Sequence, residues 1–300
     1  MIVALFGATS KTGRYVAGEL SRRGHRVLAI SRDAEKLKHV DAATKIVADL
    51  TRPDGLAAAL DGSEVVASLA HARHTSAVLA SLPPSCRRIV LTGSLRRHTR
   101  LNDPAAEAVR AGEALFRASR RRGVMLHPSM IYGAPDERNV NRVLAYMSRF
   151  PRGWAVPVLL PGGGHATVQP VFVDDMVAAF VAAIERPEAD GEPIAVAGPE
   201  PITYRAFAGA CAEALGRRIV VVPIPSWLMA AASGLAAMIG VRLPVGAEEF
   251  ARAGESKAFD IGPMRRRLGV DPRPFAEGLR LKIARGWYPG GAARPSAAPG

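Results

Sequence analysis

The chain has 300 residues, 48% of them hydrophobic, a formal net charge of +13 and two cysteines. That length can bury a large core and that composition is globular, while Cys86 and Cys211 offer neither a disulfide framework nor a metal-ligand spacing, as expected of a reducing cytoplasm. Arginine supplies most of the charge, since lysine stands only at 11, 36, 38, 45, 257 and 282; the basic runs are scattered, which argues against a dedicated nucleic-acid partner and leaves an anionic small-molecule substrate open.

The first strand is the apolar run from Met1 to Phe6, directly followed by Gly7-Ala8-Thr9-Ser10-Lys11-Thr12-Gly13-Arg14. A buried strand, a Gly-rich turn and a helix (about Thr12 to Arg23) together predict a dinucleotide pyrophosphate site. Gly7 takes a tight turn, Gly13 lets the helix approach the sheet, and the helix N-terminus offers N–H groups to phosphate. Thr9, Ser10, Lys11 and Thr12 lie between them; Ser10 stands where the glycine pattern has its middle glycine, and its hydroxyl is a further donor. The apolar start is this strand and lacks the basic head and long apolar core of a signal peptide.

Further strands are predicted at Arg26 to Ile30, Lys45 to Ala48, Glu64 to Ala70, Arg88 to Leu91 and Val124 to Leu126. Helices fall between them at Glu35 to His39, Pro53 to Leu60 and Pro104 to Arg122. This alternation predicts an α/β fold: a Rossmann-type doubly wound parallel sheet, with a smaller C-terminal substrate lobe. Ligands of such sheets lie beyond the carboxyl ends of the strands. After the second strand, Ser31-Arg32 offers a hydroxyl and a guanidinium where NAD sites place an acid, which favours NADP, with NAD second; Asp33 is the acid that a small shift would bring to the ribose. Asp49 and Leu50 follow the third strand beside the expected adenine, with Asp49 also suited to cap the next helix. Ser68, Leu69, Ala70 and His71 follow the fourth, and Thr92-Gly93-Ser94 the fifth, where Ser94 would project toward the nicotinamide.

These residues resemble the short-chain dehydrogenase/reductase superfamily in its extended or atypical branch, which includes the NAD(P)-dependent epimerase/dehydratase family, NmrA-like proteins and the Rossmann subunit of respiratory complex I. Gly7 to Gly13 resembles its glycine turn, Thr92-Gly93-Ser94 its strand-five serine, and His127-Pro128-Ser129-Met130-Ile131-Tyr132-Gly133 its Arg-Pro-x-x-x-Tyr-Gly segment beside the nicotinamide. Val171 to Met176, Ala197 to Thr203, and Leu268 to Leu279 resemble later segments. The resemblance implies Pro128 and Ser129 as cofactor contacts. It also implies a Tyr-x-x-x-Lys acid/base pair near positions 105 and 109, yet Asp103 to Ala118 contains neither residue, and His127 replaces the arginine. Ser94, His98 and Tyr132 remain as substitutes. Two functions follow: an NADP-dependent oxidoreductase or epimerase-like enzyme without the usual pair, or a non-catalytic NADP(H)-binding sensor or assembly subunit of a larger complex.

After Gly133 the rhythm breaks. A helix is predicted at Glu137 to Phe150, a strand at Trp154 to Leu160, a flexible loop at Pro161 to Gly164, and a helix at Asp174 to Ile184 capped by Asp174 or Asp175. A last strand of the main sheet is expected at Pro193 to Val196, a helix capped by Thr203 to Leu215, a strand at Ile219 to Val222, and helices at Ser226 to Met238, Ala247 to Ala253 and Phe275 to Ala284. The apolar stretch Trp227 to Val241 is too short to cross a membrane and reads as a packed helix. Residues 1–286 are expected to be one unit, with core 1–133 plus 165–198 and lobe 134–164 and 199–286, before a disordered tail over 287–300. Arg96, Arg97, His98 and Arg100 form a basic loop after Ser94, suited to steering an anionic substrate.

Overall fold

A computed structural model of the chain describes residues 1–52, 56–151, 153–225, 228 and 252–288. The helix expected over Ser226 to Met238, most of that over Ala247 to Ala253, the Pro53 turn and the tail beyond Tyr288 lie outside the described residues. The chain divides into one unit of Met1–Ile131, Val173–Ala197 and Asp260–Pro272, and another of Tyr132–Phe172, Gly198–Phe259 and Arg273–Gly300.

The first unit holds a seven-stranded sheet. Its strands are β1 (Ile2–Phe6), β2 (Arg26–Ser31), β3 (Thr44–Val47), β4 (Val65–Ser68), β5 (Arg88–Thr92), β6 (Gly123–Pro128) and the strand Ile194–Val196. From one edge they run β3, β2, β1, β4, β5, β6 and Ile194–Val196, every neighbouring pair parallel. Chain order reverses beside β1, so the crevice opens above its carboxyl end. The strands read as continuous apolar runs because both faces are covered. On one face Ala4, Phe6, Val66, Ile89, Leu91 and Met125 pack with Leu56, Leu60, Val78 and Phe116 from helices. Alternation turns Val3 and Leu5 to the opposite face. The helix α1 (Gly13–Arg22) buries Val16, Ala17 and Leu20, and neighbours the helix Val173–Glu185.

Several boundaries differ from the sequence expectations. The long helix Pro104–Ala118 opens as expected, with Pro104 at its first turn and Asp103 accepting from Ala105 N (3.0 Å), but it stops four residues early. Ser119 Oγ donates to Phe116 O (2.6 Å) and Arg120 turns left-handed (φ 51°). Asp174 and Asp175 are not caps ahead of a helix; they lie inside the first turn of Val173–Glu185, where their charge meets the positive end of the dipole.

The second unit is built on short two-stranded pieces. Ala155–Pro161 pairs in parallel with Arg218–Ile224, and Thr167–Val168 antiparallel with Ile202–Thr203. Thr203 caps the helix Tyr204–Ala214 by accepting from Ala206 N (3.0 Å). Gly162–Gly164, expected as a flexible loop, is a 3-10 turn whose three glycines all have positive φ. The helix Phe275–Ala284 matches its expected limits, and Trp287, expected to begin a disordered tail, donates its N–H to Lys282 O (3.1 Å). Lys282 is fully buried, held by Ala134 O (3.0 Å) and 3.3 Å from Glu137 Oε1.

Candidate functional site

The glycine turn is assembled by backbone hydrogen bonds that leave a row of donors open. Gly7 N donates to Ile30 O (3.2 Å) and Ser10 N to Gly7 O (2.9 Å), while Ser10 Oγ accepts from Gly13 N (3.0 Å). Gly7 is left-handed (φ 73°), and a Cβ at Gly13 would fall 2.1 Å from Gly7 O, so both positions require glycine. Thr9 Oγ1 meets Ser31 Oγ at 2.7 Å and ties the turn to the end of β2. The N–H groups of Thr9, Lys11 and Thr12 have no hydrogen-bond partner among the described residues, at the N-terminal end of the ten-residue helix α1. Unpaired N–H groups at a helix N-terminus suit an anion. Ser10 Oγ, expected as a phosphate donor, has one lone pair committed to Gly13 N; its own proton stays available.

The neighbouring strand ends sort their charges. Asp33 caps the helix Ala34–Lys38: its Oδ1 accepts from Lys36 N (3.0 Å) and its Oδ2 lies 2.7 Å from Lys36 Nζ. The Lys36 ammonium and N–H hold its carboxyl below the usual range. Arg32 is exposed and makes no hydrogen bond or ion pair among the described residues. Asp49 is half-buried; its Oδ1 accepts from Thr51 N (2.9 Å), and that bond leads the causes that lower its pKa, with Arg32 contributing. Leu50 packs against the core. Ala70 N donates to Ser68 Oγ (3.3 Å), and His71 Nδ1 accepts from Arg73 N (3.2 Å). Pro128 ends β6 opposite Val196, and Ser129 N donates to Val196 O (2.9 Å).

At the end of β5 the polar groups turn inward. Ser94 Oγ accepts from Arg96 N (3.2 Å), and Ser94 N donates to His127 Nδ1 (3.0 Å). Since Nδ1 accepts, the neutral ring carries its proton on Nε2, which lies 2.9 Å from Glu113 Oε2 in a contact poorly aligned for a hydrogen bond. Glu113 also pairs with Arg97 (2.5 Å) and accepts from Arg117 Nε (3.2 Å). His127 is 2% exposed and Glu113 4%. Burial, against the opposing pull of Glu113, lowers the His127 pKa to about 4, so the ring is neutral at pH 7. Gly93 makes room for the ring, a Cβ there falling 2.3 Å from it. The Thr92 hydroxyl is buried without a partner.

This His127–Glu113 pair was not assembled in the sequence reading. His127 stood out as a departure from the arginine, but thirteen intervening positions separate it from Glu113 and concealed their meeting. The pair also recasts the basic loop. Arg96 is ion-paired with Asp103 and Arg97 with Glu113, so neither guanidinium is free to steer a substrate. Tyr132, expected as a substitute acid, is a core residue of the second unit. It is fully buried, its hydroxyl donates to Phe275 O (3.1 Å), and its ring packs edge-on to Phe172 at 5.3 Å. No grouping of metal-ligand side chains occurs among the described residues, and none of their helices is long and apolar enough to cross a membrane.

Comparison with known proteins bears on family and fold. A family model described as NAD(P)H-binding matches residues 7–143, and one described as the NAD dependent epimerase/dehydratase family matches residues 90–197. An uncharacterized protein of Mycobacterium tuberculosis is 28% identical over 235 residues, covering 75% of this chain and 24% of that protein. Subunit 9 of the NADH dehydrogenase [ubiquinone] 1 alpha subcomplex of Mus musculus, a mitochondrial protein, is 26% identical over 222 residues, 66% of this chain and 57% of its own. The chain thus spans about a quarter to somewhat over half the length of these relatives. Among solved structures, a UDP-glucose 4-epimerase of Thermotoga maritima with UDP-glucose superposes with a TM-score of 0.69 at 16% identity, over 95% of this chain and 98% of that one, a likeness of fold.

Proposed function

We propose, from its matches to the NAD(P)H-binding and NAD dependent epimerase/dehydratase family models and from its resemblance to the short-chain dehydrogenase/reductase superfamily, that the chain is an NADP-dependent oxidoreductase or epimerase-like enzyme acting on a small molecule. The observation that carries the cofactor reading is the contrast at the end of β2. Asp33, the acid that would favour NAD, is consumed as a helix cap, and Arg32 beside it is open. A planar guanidinium pairs well with a 2′-phosphate, whereas an acid there would repel it. Gly7, Thr9, Ser10, Lys11, Thr12 and Gly13 would hold the pyrophosphate. Asp49, Leu50, Ala70 and His71 would line the adenosine half, and Thr92, Pro128 and Ser129 the nicotinamide half.

The chemistry then falls to Ser94. Its N–H is fixed by His127 and its Oγ accepts from Arg96 N, so its hydroxyl proton would be available to a substrate oxygen, with a bound nicotinamide supplying the hydride chemistry. With Tyr132 committed to the core, the proton would come from water or substrate.

The second reading is a non-catalytic NADP(H)-binding subunit or sensor. The missing acid/base pair and the likeness to a mouse NADH dehydrogenase subunit support it. Fluorescence titration with NADPH and NADH tests the cofactor: tighter binding of NADPH is expected, and failure of both to bind defeats both readings. An NADPH-oxidation screen with sugars, quinones and enones then separates them. Turnover lost in Ser94→Ala supports the enzyme; binding without turnover, and copurification with a larger complex, supports the subunit.

A further inference from the structure

The short turn after β4 carries a basic group to which nothing above gives a purpose. Ala72–His74 is a 3-10 turn that leads into the helix Thr75–Ala80. It is seated firmly, because Gly112 of the long helix has no side chain: a Cβ there would fall 2.5 Å from Ala72 O. Its polar groups are ordered among themselves. Arg73 Nε donates to His74 Nε2 (3.1 Å), and Arg73 N donates to His71 Nδ1 (3.2 Å). Each imidazole therefore accepts on one nitrogen and, when neutral, carries its proton on the other. The Arg73 guanidinium keeps its terminal amino groups. The result is a fan of N–H donors with no carboxylate hydrogen-bonded to it among the described residues.

Topology places this fan and Arg32 at the carboxyl ends of the two strands that flank β1. Phe6 of β1 pairs with Ile30 on one side and Ser68 on the other, so the segments leaving β2 and β4 rise on either side of Gly7. Arg73 on its own turn, Arg32 after β2 and Asp49 after β3 act electrostatically on His74. Asp49 is the one acid among them, and it is occupied by Thr51 N.

We propose that His74 and Arg73 complete, with Arg32, a three-sided clamp for the 2′-phosphate of NADP, so that cofactor choice is set from the β4 turn as well as from β2. This rests on the NADP reading above. Arg32 alone is one exposed guanidinium, and a second guanidinium with an imidazole N–H supplies the further donors that a phosphate accepts. While His74 Nε2 accepts from Arg73 Nε, the neutral ring keeps its proton on Nδ1, and that N–H is the donor it offers to a phosphate oxygen.

The test compares adenosine 2′,5′-bisphosphate with 5′-AMP, and NADPH with NADH, by calorimetric titration of wild type, His74→Gln and Arg73→Gln. Each variant is expected to weaken the two 2′-phosphorylated ligands about five- to tenfold while leaving 5′-AMP and NADH within about twofold, at an unchanged melting temperature. Arg73 is exposed, so its variant keeps the test available should His74→Gln disturb the turn. Equal losses for both ligand classes would make the turn an adenine or ribose support and overturn the clamp, as would no loss in either. A wild type without preference for the 2′-phosphorylated ligands would instead overturn the NADP reading itself.

Discussion

Two pairs of strand ends on either side of β4 in the same sheet treat their polar groups in opposite ways. Above β1 and β2 the groups point outward: Thr9, Lys11 and Thr12 keep their N–H groups, and Arg32 keeps its guanidinium. Above β5 and β6 they are spent on one another: Ser94 N on His127, His127 on Glu113, and Glu113 on Arg97 and Arg117. The first region is the one proposed to receive an anion. The second is organised to hold a loop still, and that loop carries the single hydroxyl proposed for the chemistry. An open donor is a binding site only if something rigid aims it, and the buried charge cluster supplies such rigidity at the cost of desolvating its members.

The sharpest way to break this comparison is at the turn itself. Gly13→Val puts a side chain into Gly7 O, and NADPH binding is expected to fall at least about a hundredfold by fluorescence titration, with the far-ultraviolet dichroism retained. Binding that survives would remove the glycine turn from the site. The inward region should fail differently, in stability. Glu113→Ala leaves Arg97 without its counter-charge and the His127 Nε2–H without its nearest acceptor, and is expected to cost about 3 kcal/mol in urea unfolding. A cost below about 1 kcal/mol would mean that the cluster is not what fixes the loop.

His127 gives the same contrast a pH signature. Its folded pKa is about 4, against about 6.5 unfolded, so the unfolded chain binds the extra proton first. Its contribution to stability is therefore complete above pH 6.5 and is lost as pH falls from 6.5 towards 4, by about 1.4 kcal/mol per pH unit at the steepest. His127→Gln should flatten that part of the stability profile; a profile as steep as wild type would contradict the neutral, buried imidazole. Next in size, Arg32→Ala should weaken NADPH about tenfold, some 1.4 kcal/mol, with little change for NADH. Tyr132→Phe is the smallest: removal of one buried donor to Phe275 O is expected to cost about 1 kcal/mol and to leave cofactor affinity unchanged. A loss of turnover with intact stability would return Tyr132 to the chemistry.

Local signals made the outward region legible. A glycine turn announces itself because Gly7 and Gly13 are demanded by backbone geometry within seven residues, and strand periodicity then orders everything after it. The capping role of Asp33 was within reach as well, since a cap and its helix are adjacent in sequence; the rival ribose role arose because strand ends carry an uncertainty of a residue or two. The inward region was not legible. His127 and Glu113 come from a strand and a helix, and nothing along the chain couples a histidine on one to a glutamate on the other. The same limit hid the packing of Tyr132: its motif resembles a nicotinamide neighbour, while its hydroxyl donates to Phe275 O, 143 residues away.

By itself, then, the sequence determined the order of strands and helices, the parallel sheet and the glycine turn, because each rests on periodicity or on backbone freedom within one stretch of chain. Only the tertiary structure decided which charges are available. Arg32 is free and Arg97 is not, although the two look alike in sequence, because availability depends on what burial brings within hydrogen-bond reach, and a buried charge is stable only with its partner in place.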